Sequence, residues 1–145
     1  MIKIKMFLIH VLIPLILGGF LHVTFRSKSL RMFNWFESIG LNSKISNLRE
    51  CFSPIKHNLP SWVYFSLPDA LWVYSFTSTI LIIWACELTY WLIIPFATGV
   101  VVELLQGFLF IGTFDWIDLI FSTVGFFLSI LSINYKNKKN HVQVF

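Results

Sequence analysis

Charge is scarce in this sequence, and charge of one sign is missing from most of it. Only 12% of the 145 residues are charged, and residues 57–135 contain no lysine or arginine. All 11 basic residues lie within residues 3–56 or 136–139, where they flank apolar segments as juxtamembrane charge does. A nucleic-acid-binding protein would instead spread positive charge over a face, so the net charge of +4 does not point to that partner. Cysteine is almost absent. Cys51 and Cys86 provide neither metal-ligand spacing nor an evident bridge, which excludes a disulfide scaffold and a zinc module. There is also no glycine-rich phosphate loop, no internal repeat and no recognisable nucleophile or cofactor motif.

What the chain has is apolar length. It is 57% hydrophobic and 18% aromatic, with a mean hydropathy of +0.76. Runs of about 20 apolar residues are what a bilayer core requires of a helix. The sequence therefore predicts an all-α integral membrane protein, a four-transmembrane-helix bundle in one membrane domain over residues 1–145. The spans are expected at about 6–25, 69–86, 90–110 and 116–135. A long interfacial loop covers 26–68, and a mobile basic tail covers 136–145.

In the first span, Pro14 and the pair Gly18 and Gly19 suggest a kink or a close helix contact. No small-residue cleavage site follows the apolar core, so this segment reads as a retained helix rather than a signal peptide. His10 reads as a hydrogen-bonded structural histidine. In the loop, residues 26–41 mix Arg26, Lys28 and Arg31 with Leu30, Met32, Phe33, Trp35, Phe36 and Ile39, the pattern of an amphipathic helix lying in the headgroup layer. Pro54, Pro60 and Pro68 are expected to break helix through the rest of it. Trp62, Tyr64 and Phe65 read as interfacial anchors.

The chemistry lies with the acids. Glu103 and Gln106 sit inside the third apolar segment, and an ionisable group there costs roughly 2.5 kcal/mol or more to insert, so it is a site hypothesis by default. The connectivity puts the long loop and the turn between spans three and four on one membrane side. Asp69 begins span two there, Asp115 and Asp118 begin span four there, and Glu103 lies about 12 Å inside the end of span three, at 1.5 Å per residue. Glu103 and Gln106 share a helix face, as do Asp115 and Asp118. Carboxylates and an amide from three helices can thus converge on one pocket. Several carboxylates in a low-dielectric pocket need compensation. The sources are a basic residue from the loop (Arg26, Lys28, Arg31, Arg49 or Lys56), a histidine such as His22 or His57, a divalent metal, or protonation of Glu103. The competing accounts are plain: Glu103 and Gln106 as a polar clamp between helices, and Asp69, Asp115 and Asp118 as first-turn or capping acids.

The segment E-L-L-Q at residues 103–106, followed by G-T-F-D-W-I-D at 112–118 and Gly125, resembles the VanZ-like family of small membrane proteins. The likeness covers residues 101–125. The turn lacks the arginine many members carry, and the residues before Gly125 are Ser122, Thr123 and Val124 where many have an asparagine. The resemblance implies a bacterial envelope protein, in some members linked to glycopeptide resistance. It also favours both termini on the cytoplasmic side of the inner membrane, which puts the acidic pocket on the outer face.

The expected function is an envelope membrane protein whose pocket binds a polar head group, from a membrane lipid or a lipid-linked cell-wall precursor. In an enzymatic version, Glu103 and Asp118 are the candidate catalytic groups and Gln106, Asp115, Asp69 and Thr113 bind substrate, with or without a divalent metal. The alternative is a non-catalytic scaffold that partners other membrane proteins, its polar residues only locking helices together.

Overall fold

The computed structural model describes residues 2–27, 31–84, 89–108 and 115–142. Among them the protein is all-helical, with no strand. The first helix runs from α1 (Ile2–Phe7) through one π-helical stretch at Leu8–Leu12 into α2 (Ile13–Phe25). The π turn is marked by the Ile13 N–H donating to the Leu8 carbonyl. It ends where Pro14 removes the next donor, so the expected distortion takes the form of a widened turn.

The loop after α2 is more ordered than its prolines suggest. It holds α3 (Arg31–Ser38), α4 (Asn42–Lys56) and α5 (Ser61–Phe65). The amphipathic segment is thus shorter than residues 26–41: Arg26 is the C-cap of α2, and Lys28 and Leu30 lie outside the described residues. Helix α3 stops at a glycine. Gly40 has φ +73°, the Gly40 N–H donates to the Glu37 carbonyl, and the Leu41 N–H reaches back to Phe36. That bond pair is a Schellman motif, whose left-handed position suits glycine alone. Helix α4 contains Pro54, contrary to expectation. The proline lies in the last turn, where it removes a single hydrogen bond from a helix about to end.

Three apolar helices complete the chain. They are α6 (Leu67–Ile83), α7 (Ile93–Phe108, entered through one 3-10 turn at Tyr90–Leu92) and α8 (Trp116–Val142). Pro68 and Asp69 stand in the first turn of α6, where a missing N–H and a negative charge both suit a helix N-terminus. Helix α8 continues to Val142, so the basic segment after residue 135 is helical where a mobile tail was expected. The predicted turn at residues 87–89 lies mostly outside the described residues, as does Cys86.

Helix α6 is the hub, packed between α2 and α8, with α7 against both α6 and α8. Glycine or small hydroxyl residues stand at each contact. A Cβ on Gly18 of α2 would lie 2.7 Å from Trp72 Nε1, one on Gly99 of α7 would lie 3.3 Å from Val73, and one on Gly125 of α8 would collide with the Ala70 backbone. Between α6 and α8, the Ser78 and Ser129 hydroxyls hydrogen-bond at 2.8 Å. Towards the first helix, Ser75 Oγ donates to the Val11 carbonyl at 2.9 Å, and His10 Nδ1 meets the Tyr74 hydroxyl at 2.6 Å, the structural role expected of that histidine. Small residues with hydroxyl bonds are the packing currency of helices in lipid.

Burial is partly inverted relative to a soluble domain, beside a small apolar core that includes Leu81, Leu92 and Ile133. Ser66, Ser75, Thr77, Ser78, Ser122 and Ser129 are buried, whereas Ile13, Ile16, Ile93, Ile120, Phe127 and Leu131 are exposed. Two stretches are long and apolar enough to cross a membrane, Ile4–Phe25 and Trp116–Asn134. Only 28% of each apolar window is covered by the protein itself. Leu67–Ile83 and Tyr90–Leu105 are shorter apolar helices.

The Gly125 contact is open to test. Gly125→Ala should lower stability by about 1–3 kcal/mol, because the new methyl meets backbone that cannot rotate away. Gly19→Ala has no neighbour within 4 Å and should be neutral or stabilising, since it removes glycine from a helix interior. Thermal unfolding of both variants in one detergent gives the comparison; equal melting of the two would mean that α6 and α8 are not in backbone contact.

Candidate functional site: an acidic cluster at the head of an apolar cavity

Three carboxylates from three helices come together. One oxygen each from Asp69, Glu103 and Asp118 lie within 4.8 Å of one another. Asp69 and Asp118 occupy the first turns of α6 and α8, and Glu103 reaches them from α7. Asp69 is about half-buried, whereas Glu103 and Asp118 are 4% and 7% exposed. The parallel course of α6 and α8 follows from their contacts, Ala70 with Gly125 and Ser78 with Ser129. Both N-termini, each worth about half a positive charge, therefore lie at the cluster's end of the bundle.

Arg26 is the basic residue at this cluster. Its guanidinium stands 3.9 Å from Asp69 Oδ2 and 5.2 Å from the centre of the Phe65 ring. The other loop cations for which contacts are described go elsewhere. Arg49 donates to the Val23 and Arg26 carbonyls at 2.7 and 2.6 Å and lies over the Phe33 ring, so it caps the C-terminus of α2 and ties α4 and α3 to it. Lys56 lies over the Tyr64 ring. Lys28 is outside the described residues, as is the side chain of Arg31.

The polar groups at the cluster are unequally satisfied. Glu103 accepts a hydrogen bond from the backbone N–H of Asp115, which joins α7 to the start of α8. Its Oε2, however, is buried without a hydrogen-bond partner among the described residues, as is Asp118 Oδ1. Buried acceptors are nearly always paired, so two orphans in one cluster need an explanation. Asp115 itself is a cap: its Oδ1 accepts from the Ile117 N–H at 2.9 Å. Its side chain is thus committed to α8 and its main chain to Glu103. Gln106 is in α7, but its side chain lies outside the described residues, and so does Thr113.

Asp69 and Glu103 of the cluster line one end of a cavity of about 180 Å³, together with Trp72, Val73, Phe76, Thr98, Gly99 and Ser122. Phe76 and Thr98 are exposed, so the cavity opens between α6 and α7 on the apolar flank of the bundle. Two features shape its walls. Trp72 packs in the notch left by Gly18, with His22 tilted against it at 5.1 Å between ring centres. Gly99, one helical turn before Glu103, leaves the room beside Val73 and Ser122. Only the turn spacing from Gly99 to Glu103 signals that second feature beforehand. Comparison with protein-family models, with curated proteins and with solved structures finds no match.

Substitution separates the two halves of Glu103's role. Glu103→Gln keeps an acceptor for the Asp115 N–H and should melt at or above wild type. Glu103→Ala leaves that N–H unpaired and should lose about 1–3 kcal/mol. Equal destabilisation by both changes would show that the ionised carboxylate itself holds the helices together.

Proposed function

We propose that this is a multi-pass protein of the bacterial inner membrane, a four-helix bundle of the VanZ-like kind, that binds a lipid or lipid-linked envelope precursor by its polar head group. The observation that carries the reading is the cavity: apolar walls from Trp72, Val73 and Phe76, an opening on the apolar flank, and the carboxylates of Asp69 and Glu103 at its other end, the latter with an oxygen unpartnered among the described residues. Ligand pockets are concave and mostly apolar, with a few convergent polar groups. A chain-and-head-group molecule fits that polarity gradient, and an opening between helices lets it enter from the bilayer without crossing water.

Four spans are favoured by the inverted burial and by the mutual packing of all four apolar helices. At about 26 Å for 17 residues, α6 is a little short for a hydrocarbon core of about 30 Å, a mismatch that local thinning absorbs. The side-chain bonds from His10 and to Val11 favour a first helix that stays in the bundle as a span. In the orientation drawn from the VanZ-like resemblance, both termini are cytoplasmic and the cluster faces the outer side.

The runner-up is a scaffold in which the acids only lock helices. The Glu103 bond to Asp115 favours it in part. The unpartnered oxygens weigh against it, because a clamp satisfies both of its ends.

Two measurements bear on this reading. In a cysteine-free background (Cys51→Ser, Cys86→Ser), Asn58→Cys should react with a membrane-impermeant thiol reagent added outside, and Tyr90→Cys only after permeabilisation. Equal labelling of both from one side would rule out the four-span arrangement. For the ligand, the protein is incubated with phosphatidylglycerol, phosphatidylethanolamine, cardiolipin and undecaprenyl phosphate, and retained lipid is read by native mass spectrometry. Wild type should keep one lipid per chain, while Thr98→Trp, which fills the opening, should lose it. Retention of the same lipid at the same level by Thr98→Trp, or by neither protein, removes the head-group reading.

A further inference from the structure

We propose that Asp69, Glu103 and Asp118 form a binding site for one hard divalent cation of the Mg²⁺, Mn²⁺ or Ca²⁺ class. The inference rests on reading this pocket as a binding site but requires no lipid in it. Its geometry is that of a shared ion. Oxygens bound to one such cation at about 2.0–2.6 Å must lie within about 4–5 Å of one another. One oxygen from each of these three carboxylates does so, all within 4.8 Å.

The second observation is the pair of buried oxygens. Among the described residues Glu103 Oε2 and Asp118 Oδ1 have no hydrogen-bond partner, and both residues are more than nine-tenths buried. Arg26 and the two helix N-termini offset part of the cluster's negative charge. Neither hydrogen-bonds those two atoms, and among the described residues the ion pair of Arg26 is with Asp69. Three carboxylates against one guanidinium leave a formal charge of −2, which one divalent ion neutralises while coordinating the free oxygens.

The donor set selects the class of metal. Among the described residues no cysteine or histidine belongs to the cluster, and carboxylate oxygens alone favour hard cations over zinc or copper. Three carboxylate ligands leave coordination positions open. They face the cavity that Asp69 and Glu103 line, so they suit oxygens of a phosphate or other anionic head group. The ion would turn an acidic pocket, which repels anionic head groups, into one that holds them.

The test uses the full chain in detergent, with Mn²⁺ as the probe and electron paramagnetic resonance as the readout. Wild type should bind one Mn²⁺ per chain saturably, and Mg²⁺ or Ca²⁺ should displace it. Glu103→Gln, Asp118→Asn and the half-buried Asp69→Asn should each weaken binding about tenfold or more, the scale of losing a group that holds a metal. Glu37→Gln, an exposed carboxylate on α3, should not. Bound Mn²⁺ should also raise the melting temperature of wild type, and this rise should be lost in whichever of the three cluster variants folds. Absence of saturable Mn²⁺ binding by wild type, or unchanged affinity in the cluster variants, overturns the site. Lipid retention measured with and without a chelator keeps the two readings apart. Lipid bound without any Mn²⁺ site removes the metal and leaves head-group binding, whereas a Mn²⁺ site without retained lipid does the reverse.

Discussion

Backbone meets backbone where α8 crosses α6, with Gly125 lying directly on Ala70. Such an approach has no room for a side chain, and it draws the first turns of two parallel helices to the same end of the bundle. Asp69 is the residue next to Ala70, and Asp118 lies two turns before Gly125 on the same face of α8. Gly99 does the same for the third helix: it lets α7 approach Val73 and Ser122 closely, and Glu103 follows one turn later. The acidic cluster is therefore a consequence of glycine placement. Gly125 and Gly99 each set the close approach of a helix that carries one of the carboxylates.

The same packing accounts for what is inside the molecule and what is outside. Lipid tails are as apolar as leucine, so helices in a bilayer gain little by hiding leucines from them. What stabilises contact is close approach and hydrogen bonding between groups that lipid cannot satisfy. Ser78 with Ser129 and Ser75 with the Val11 carbonyl are bonds of that kind, while Ile16, Ile93, Ile120 and Leu131 point outward. A soluble protein with that distribution would expose apolar patches far beyond the usual few hundred Å².

Connectivity made much of the cluster legible in the sequence, because antiparallel helices joined by short turns must bring residues 69, 103 and 118 to one end of the bundle. Arg26 was one of several cations that satisfied the same condition. Nothing in the residues distinguishes it from Arg49, whose partners are main-chain carbonyls at the end of α2 and leave no trace in side-chain chemistry. The ordered loop was misread for a related reason. Pro54 is a helix breaker by propensity, yet in a last turn it costs one bond, and whether a proline falls in a last turn depends on tertiary contacts such as that of Arg49. Gly18 was legible as a close contact, but its partner Trp72 was not, since that ring reads equally well as an interface anchor.

The roles of clamp and binding group need not compete at Glu103, because its two oxygens face different demands. One receives the Asp115 N–H and fixes α7 to the start of α8, which holds the carboxylate in place. The other is a buried acceptor with no partner among the described residues, and leaving such an acceptor unpaired costs about 1–3 kcal/mol. A helix lock could have been built without that cost from serine or glutamine, as Ser78 and Ser129 show. A carboxylate held rigid on one side and left open on the other is instead suited to meet something that arrives from outside the fold. The apolar cavity leading to it defines the direction of arrival, between α6 and α7, past Phe76 and Thr98. On the proposed head-group reading, such a route would suit a molecule with an apolar body and its polar or charged part at one end.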